Sequence, residues 1–407
     1  MVSDLAILNG RVVTADGIAH GGVLVRDGRI AAIGMFEMPP EIDRIDAKGA
    51  LIAPGLIDIG VFAIDMPAFT AGGITRAVLM PDQSQPIDTV ALVQRAAAAG
   101  KPDVWIHPLA AATRGLEGAE LAEIGLMGQS GACGVATGRK WIANSGVMHR
   151  LLDYAGALGL RIVAHAEDGG LAGDATMTEG ETATRLGLAA APAEAEALAI
   201  ARDLLLVEAT GAPLHFRQVT TARGLELVRA AKAKGLPVSC GITPAHLFLA
   251  DSAVTGFRTF ARLSPPLRDE RDRQACLRGV ADGTIDLICS AHDPQGPEAK
   301  RLPFADAEPG MAGAETLLAM SLGLVRDGVI GIERLFALLA ATPAGLFGLP
   351  GGRIAVGEEA DLILLDPDAP WQIVSDRLKA AAGNTPFDGL PVQGQVVHTI
   401  KGGKIVG

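Results

Sequence analysis

From residue 56 to about 290 the chain repeats one pattern. A short run of apolar, often β-branched positions is followed by a longer stretch whose apolar residues return every three or four places. Eight such runs begin near Leu56, Ile74, Asp103, Ala132, Arg161, Pro213, Pro237 and Ile285. Their unbroken hydrophobicity suits strands buried on both faces of a parallel sheet. Glu194 to Glu208, Thr221 to Lys234 and Asp269 to Val280 carry the period of amphipathic helices. Eight strand-helix units predict an α/β fold, a (β/α)8 TIM-like barrel over residues 54–350, with its functional end at the C-terminal tips of the strands. A doubly wound sheet is the rival, but no G-x-G-x-x-G follows the first strand. Gly241 and the Gly72-Gly73 pair read as turns.

Both chain ends have another rhythm. Residues 5–53 alternate apolar runs with glycine turns, and Asn9-Gly10 and Asp27-Gly28 are two-residue hairpin signals. Residues 360–366 and 396–406 repeat the style. Together they predict a small composite β-sandwich domain from 1–53 plus 351–407.

Composition narrows the partners. The chain is 49% hydrophobic and only 4% aromatic, so the core rests on Ala, Leu, Ile and Val. A formal net charge of -11 argues against nucleic acid and anionic membrane as partners. Four scattered cysteines without a C-x-x-C pair suggest free thiols. No export signal and no run of about 20 apolar residues is present, so a cytoplasmic location is expected.

Certain segments carry chemistry-bearing residues in a fixed order. They are Ala53-Pro54-Gly55-Leu56-Ile57-Asp58, Leu79-Met80-Pro81-Asp82-Gln83, Ile162-Val163-Ala164-His165-Ala166-Glu167-Asp168, Leu263-Ser264-Pro265-Pro266-Leu267-Arg268, Asp286 to Pro294, and Glu308-Pro309-Gly310 with Thr342-Pro343-Ala344. In this order they resemble, over essentially the whole length, the long bacterial dihydroorotases of the amidohydrolase superfamily. The resemblance implies the barrel with a composite sandwich, a place in pyrimidine biosynthesis, and a zinc pair held by His-x-His, an aspartate, two histidines and a final aspartate that is also the general base.

Those six ligand positions fall on Gly60, Phe62, Thr137, His165, Gln218 and Ala291, and only His165 keeps its donor. The substrate side differs too: Asp82 and Ser264 replace asparagines. The expected centre is a residual pocket of His165, Glu167, Asp82, Gln83, Ser264, His292, Asp293, Pro309 and Gly310, with no catalytic residue, metal or cofactor. Phe62, pointing inward, would fill the space of the missing ions, and Cys289 reads as an inert buried thiol. His215 reads as a wall position, and Asp58 and Asp361 as residues that fix turns.

The leading expectation is a non-catalytic homologue. The resemblance implies that it supports the catalytic chain of aspartate transcarbamoylase, as a homo- or hetero-oligomer. An active dihydroorotase, or a related hydantoin or allantoin amidohydrolase, stays open as an alternative. Its zinc site would be rebuilt from His165, Glu167, His292 and Asp293. A small-anion binder or sensor is the third reading.

Overall fold

A computed structural model describes residues 4–37 and 42–407. Eight parallel strands follow one another around the barrel in chain order: Leu56–Val61, Ile74–Leu79, Trp105–Ala111, Gly134–Ala136, Ile162–Ala164, Leu214–Phe216, Val238–Ile242 and Leu287–Ile288. Each begins within two residues of the start predicted from the apolar runs. The helices Glu194–Thr210, Ala222–Ala233 and Glu270–Ala281 likewise match their predicted spans to within two residues. The short eighth strand meets the first through Phe62 N donating to His292 O at 2.8 Å and Ser290 N donating to Asp58 Oδ1 at 2.8 Å. Asp58 therefore fastens the barrel seam.

Two apolar layers hold the barrel. Leu56, Ile74, Ile106, Ile162 and Leu214 face the helices, while Ile57, Ile59, Val78, Leu109 and Val163 fill the interior. Strand alternation would send position 61 inward. The first strand instead has a bulge between Ile59 and Val61, where Gly60 takes φ 85°. This shift turns Val61 outward and Phe62 inward.

The two chain ends make one continuous eight-stranded sheet. Leu51–Pro54 lies between Leu5–Thr14, its parallel neighbour, and Leu362–Gln372, its antiparallel neighbour. Asp27-Gly28 forms the expected turn, with both residues at positive φ. Asn9-Gly10 does not: it is a bulge inside Leu5–Thr14, and the chain reverses at Ala15-Asp16. A Cβ on Gly10 would stand 2.6 Å from Ile52 Cδ1, so close packing, not reversal, calls for glycine there. Gly241 is also no turn. It lies within the seventh strand, where a Cβ would stand 2.7 Å from Arg217 O.

Arg76, on the second strand, joins barrel to sheet. Its buried guanidinium pairs with Glu359 and, at 2.8 Å, with Asp361. Asp361 also accepts from Gly402 N at 2.8 Å.

Candidate functional site

The mouth of the barrel is built around a guanidinium. Arg217 follows the sixth strand directly and is 3% exposed. Its Nη2 donates to His165 Nδ1 at 3.2 Å. Its methylenes fill the space beside Gly60, where a Cβ would lie 3.5 Å from Arg217 Cδ. Arg217 thus lies between two of the positions that the resemblance assigns to metal. Burial, with the like charge of Arg139, lowers its pKa from the ordinary arginine range.

His165 is fixed at several atoms. Thr137 Oγ1 accepts its backbone N–H at 3.1 Å, and its Nε2 lies 3.5 Å from Glu167 Oε2. Because Arg217 can only donate, Nδ1 must accept and the neutral ring carries its proton on Nε2. Burial pushes the Glu167 pKa up, but His165, Arg268 and Arg217 outweigh it and hold the carboxylate below its usual range. Arg268 continues the chain of charges to Glu196 at 3.6 Å. Glu196 is fully buried and accepts from the N–H and hydroxyl groups of Thr220 and Thr221.

Phe62 fills the centre as expected, with an addition. The guanidinium carbon of Arg139 lies 3.8 Å, and that of Arg217 5.0 Å, from its ring centroid. Gln83 Nε2 donates to Phe62 O at 3.0 Å and to Met80 O at 3.0 Å, which fixes the backbone beneath the ring. Arg139 is held by Asp293 Oδ2, which accepts from its Nη1 at 2.7 Å, and by Asp82 Oδ1, which accepts its backbone N–H at 2.9 Å.

Of the nine residues expected to share one pocket, four line it: Ser264, Asp293, Pro309 and Gly310. Phe62, Arg139, Arg217, Gln218 and Ala291 line it with them. Its volume is about 20 Å³, room for one or two waters. His165 and Glu167 open instead on a neighbouring cavity of about 610 Å³, which Arg139 also lines. Asp82 and Gln83 act behind the wall, through Arg139 and Phe62.

His292 corrects the expectation. Its Nε2 turns to Asp65 Oδ2 at 3.3 Å, its Nδ1 accepts from Ala314 N at 3.3 Å, and its ring packs edge-on against Phe69. Ala291 takes φ 46°, a left-handed turn, as the chain leaves the eighth strand. In this turn Ser290 Oγ accepts His292 N–H at 3.0 Å while His292 O reaches Phe62 N. The four residues of the rebuilt zinc site therefore do not converge. Among the described residues no three His, Cys, Asp or Glu side chains stand together in a metal-binding group. The zinc pair that the resemblance implies does not fit: one imidazole is left, its Nδ1 lone pair is taken by a cation, and a second cation lies across Phe62.

Other groups with chemical potential are tied down. His215 sits in the barrel wall with Ser239 Oγ 2.9 Å from its Nδ1, and burial drives its pKa down to about 3. Burial pushes the thiols of Cys133 and Cys289 up to about 12. Arg217 and Arg139 carry no spacing signature, so sequence reasoning passed over them. The visible hint was an arginine ending the apolar run Leu214-His215-Phe216.

A parallel barrel of this kind, with a composite sheet and a mouth formed at the strand tips, defines a class. The amidohydrolase family profile matches residues 108–406, and the chain belongs to the amidohydrolase family. Within it the chain is similar over nearly its whole length to dihydroorotases. It is 36% identical to that of Citrifermentans bemidjiense, with 99% of each chain covered. It is 39% identical to that of Anaeromyxobacter dehalogenans strain 2CP-C, over 99% of this chain and 97% of the relative. Among solved structures it resembles the L-hydantoinase (dihydropyrimidinase) of Arthrobacter aurescens, with TM-score 0.89, 28% identity, and coverage of 99% and 96%.

Proposed function

We propose that this chain is a dihydroorotase-like protein of pyrimidine biosynthesis that does not itself open or close the ring, and that it supports the assembly of aspartate transcarbamoylase. Ring opening needs an activated water and a polarised carbonyl, both of which a bound metal supplies in such enzymes. The observation that carries the reading is the Arg217 guanidinium bonded to His165 Nδ1 beside Gly60. A fixed cation there repels a divalent ion, and the side chains that would outbid it are gone. Ala291 leaves no proton acceptor at the general-base position itself, and the carboxylate of nearby Asp293 is engaged by Arg139. The pocket beside Phe62 is also small, about 20 Å³. A scaffold kept nearly whole around such a centre is suited to work through its outer surface.

The test mixes the purified chain with the transcarbamoylase catalytic chain of the same organism. Co-elution on size exclusion, with raised or stabilised carbamoyl-transfer activity, is expected. Separate elution with unchanged activity would overturn the assembly role. Zinc-dependent hydrolysis of dihydroorotate that disappears in His165→Ala would overturn the non-catalytic one.

A further inference from the structure

The same mouth has a property that the assembly role does not use. Arg217 is buried, its Nε has no hydrogen-bond partner, and among the described residues no carboxylate pairs with it. Buried charges are ordinarily paired, because water no longer solvates them. Arg139 brings a second guanidinium to the same ring. The side chain of Gln218 is 4% exposed, and its Oε1 is also without a partner. Its Nε2, by contrast, is not closed off, so the two N–H donors of that amide already face the pocket. The hydroxyl of Ser264 stands at the rim.

We infer that the barrel mouth is a binding site for a small carboxylate anion, held by Arg217, Arg139 and Gln218. Planar carboxylates match the parallel N–H pair of a guanidinium better than spherical ions do. Size and charge narrow the choice further. At about 20 Å³ the pocket favours the smallest anions. Asp293 lines the pocket and Asp82 lies against Arg139, so a dianion meets repulsion that a monoanion largely escapes. Apolar contact from Phe62 and Met311 suits the carbon side of formate or acetate. Binding would pair the buried charge of Arg217 and relieve its repulsion with Arg139.

The experiment uses the full chain alone, so its outcome does not depend on whether transcarbamoylase binds. Thermal unfolding is followed in sodium formate and sodium acetate series, against chloride and phosphate at matched ionic strength and pH. A saturable rise in Tm of roughly 2–5 °C with the carboxylates is expected. The rise should be lost in Arg217→Met. If that variant does not fold, the half-exposed Arg139→Met and the neutral Gln218→Ala carry the test, each weakening saturation at least tenfold. Equal rises in chloride or phosphate, no rise at all, or undiminished binding in folded Arg139→Met and Gln218→Ala would each overturn the inference.

Discussion

Restoring the lost imidazoles is harder than the two substitutions suggest. Position 60 holds φ 85°, which strains any residue with a Cβ, although a Cβ there would stand at ordinary contact distance, 3.5 Å, from Arg217 Cδ. The double variant Gly60→His, Phe62→His should lose about 1–2 kcal/mol of stability in chemical denaturation from the left-handed backbone alone. It should bind no stoichiometric zinc in elemental analysis while Arg217 remains, so one zinc per chain would refute the blocking role given to that arginine. Asp58 offers a test by pH. Burial outweighs its bonds to Ser290 and raises its pKa to about 6, above the value near 4 expected unfolded. Between those values the folded state holds a proton that the unfolded state has released, so stability falls as pH rises from about 4 to 6, by up to about 1.4 kcal/mol per pH unit. Asp58→Asn should flatten that decline in Tm, leaving the share of Asp203, whose pKa burial also raises to about 6. At this scale the sequence was half legible. Gly60, Phe62 and Ala291 were visible as losses because family motifs frame them. The gain of Arg217 was not, since one arginine after an apolar run reads the same whether it turns to water or to the barrel axis.

Whole elements were easier to read than single side chains. Apolar runs bounded by turn residues mark the strands because seven of the eight barrel strands are buried at every position. Hydrophobic periodicity marks the helices for the complementary reason, one face buried and one wet. What misled was local turn chemistry. Asn9-Gly10 suits a hairpin and equally a bulge, and only the neighbouring Ile52 decides between them. The joint made by Arg76 was also invisible, because its partners lie more than 280 residues away in sequence. Removing one member of a buried ion pair strands the others. Arg76→Ala should therefore cost about 3–5 kcal/mol in denaturant melts. A loss under 1 kcal/mol would show that Glu359 and Asp361 are well solvated without it.

Across the whole molecule, the sheet depends on both chain ends. Leu362–Gln372 covers one edge of Leu51–Pro54, and Asp361 accepts from Gly402 while holding Arg76. A chain ending before Asp361 would expose Ile52, Ala53 and their neighbours and leave Arg76 with Glu359 as its one remaining carboxylate partner among the described residues. Such a truncation should lose the single cooperative transition in calorimetry, whereas a retained sharp transition would make the barrel self-sufficient. No helix among the described residues is long and apolar enough to cross a membrane.

Arg217 is bonded to the chain, and that has a consequence for upkeep. A charge carried by a side chain is delivered with every copy at synthesis and cannot be stripped by a chelator or diluted away. The geometry of the mouth is therefore indifferent to how much zinc the surroundings offer. Melting curves with and without EDTA should superimpose, so the protein keeps its shape through metal starvation.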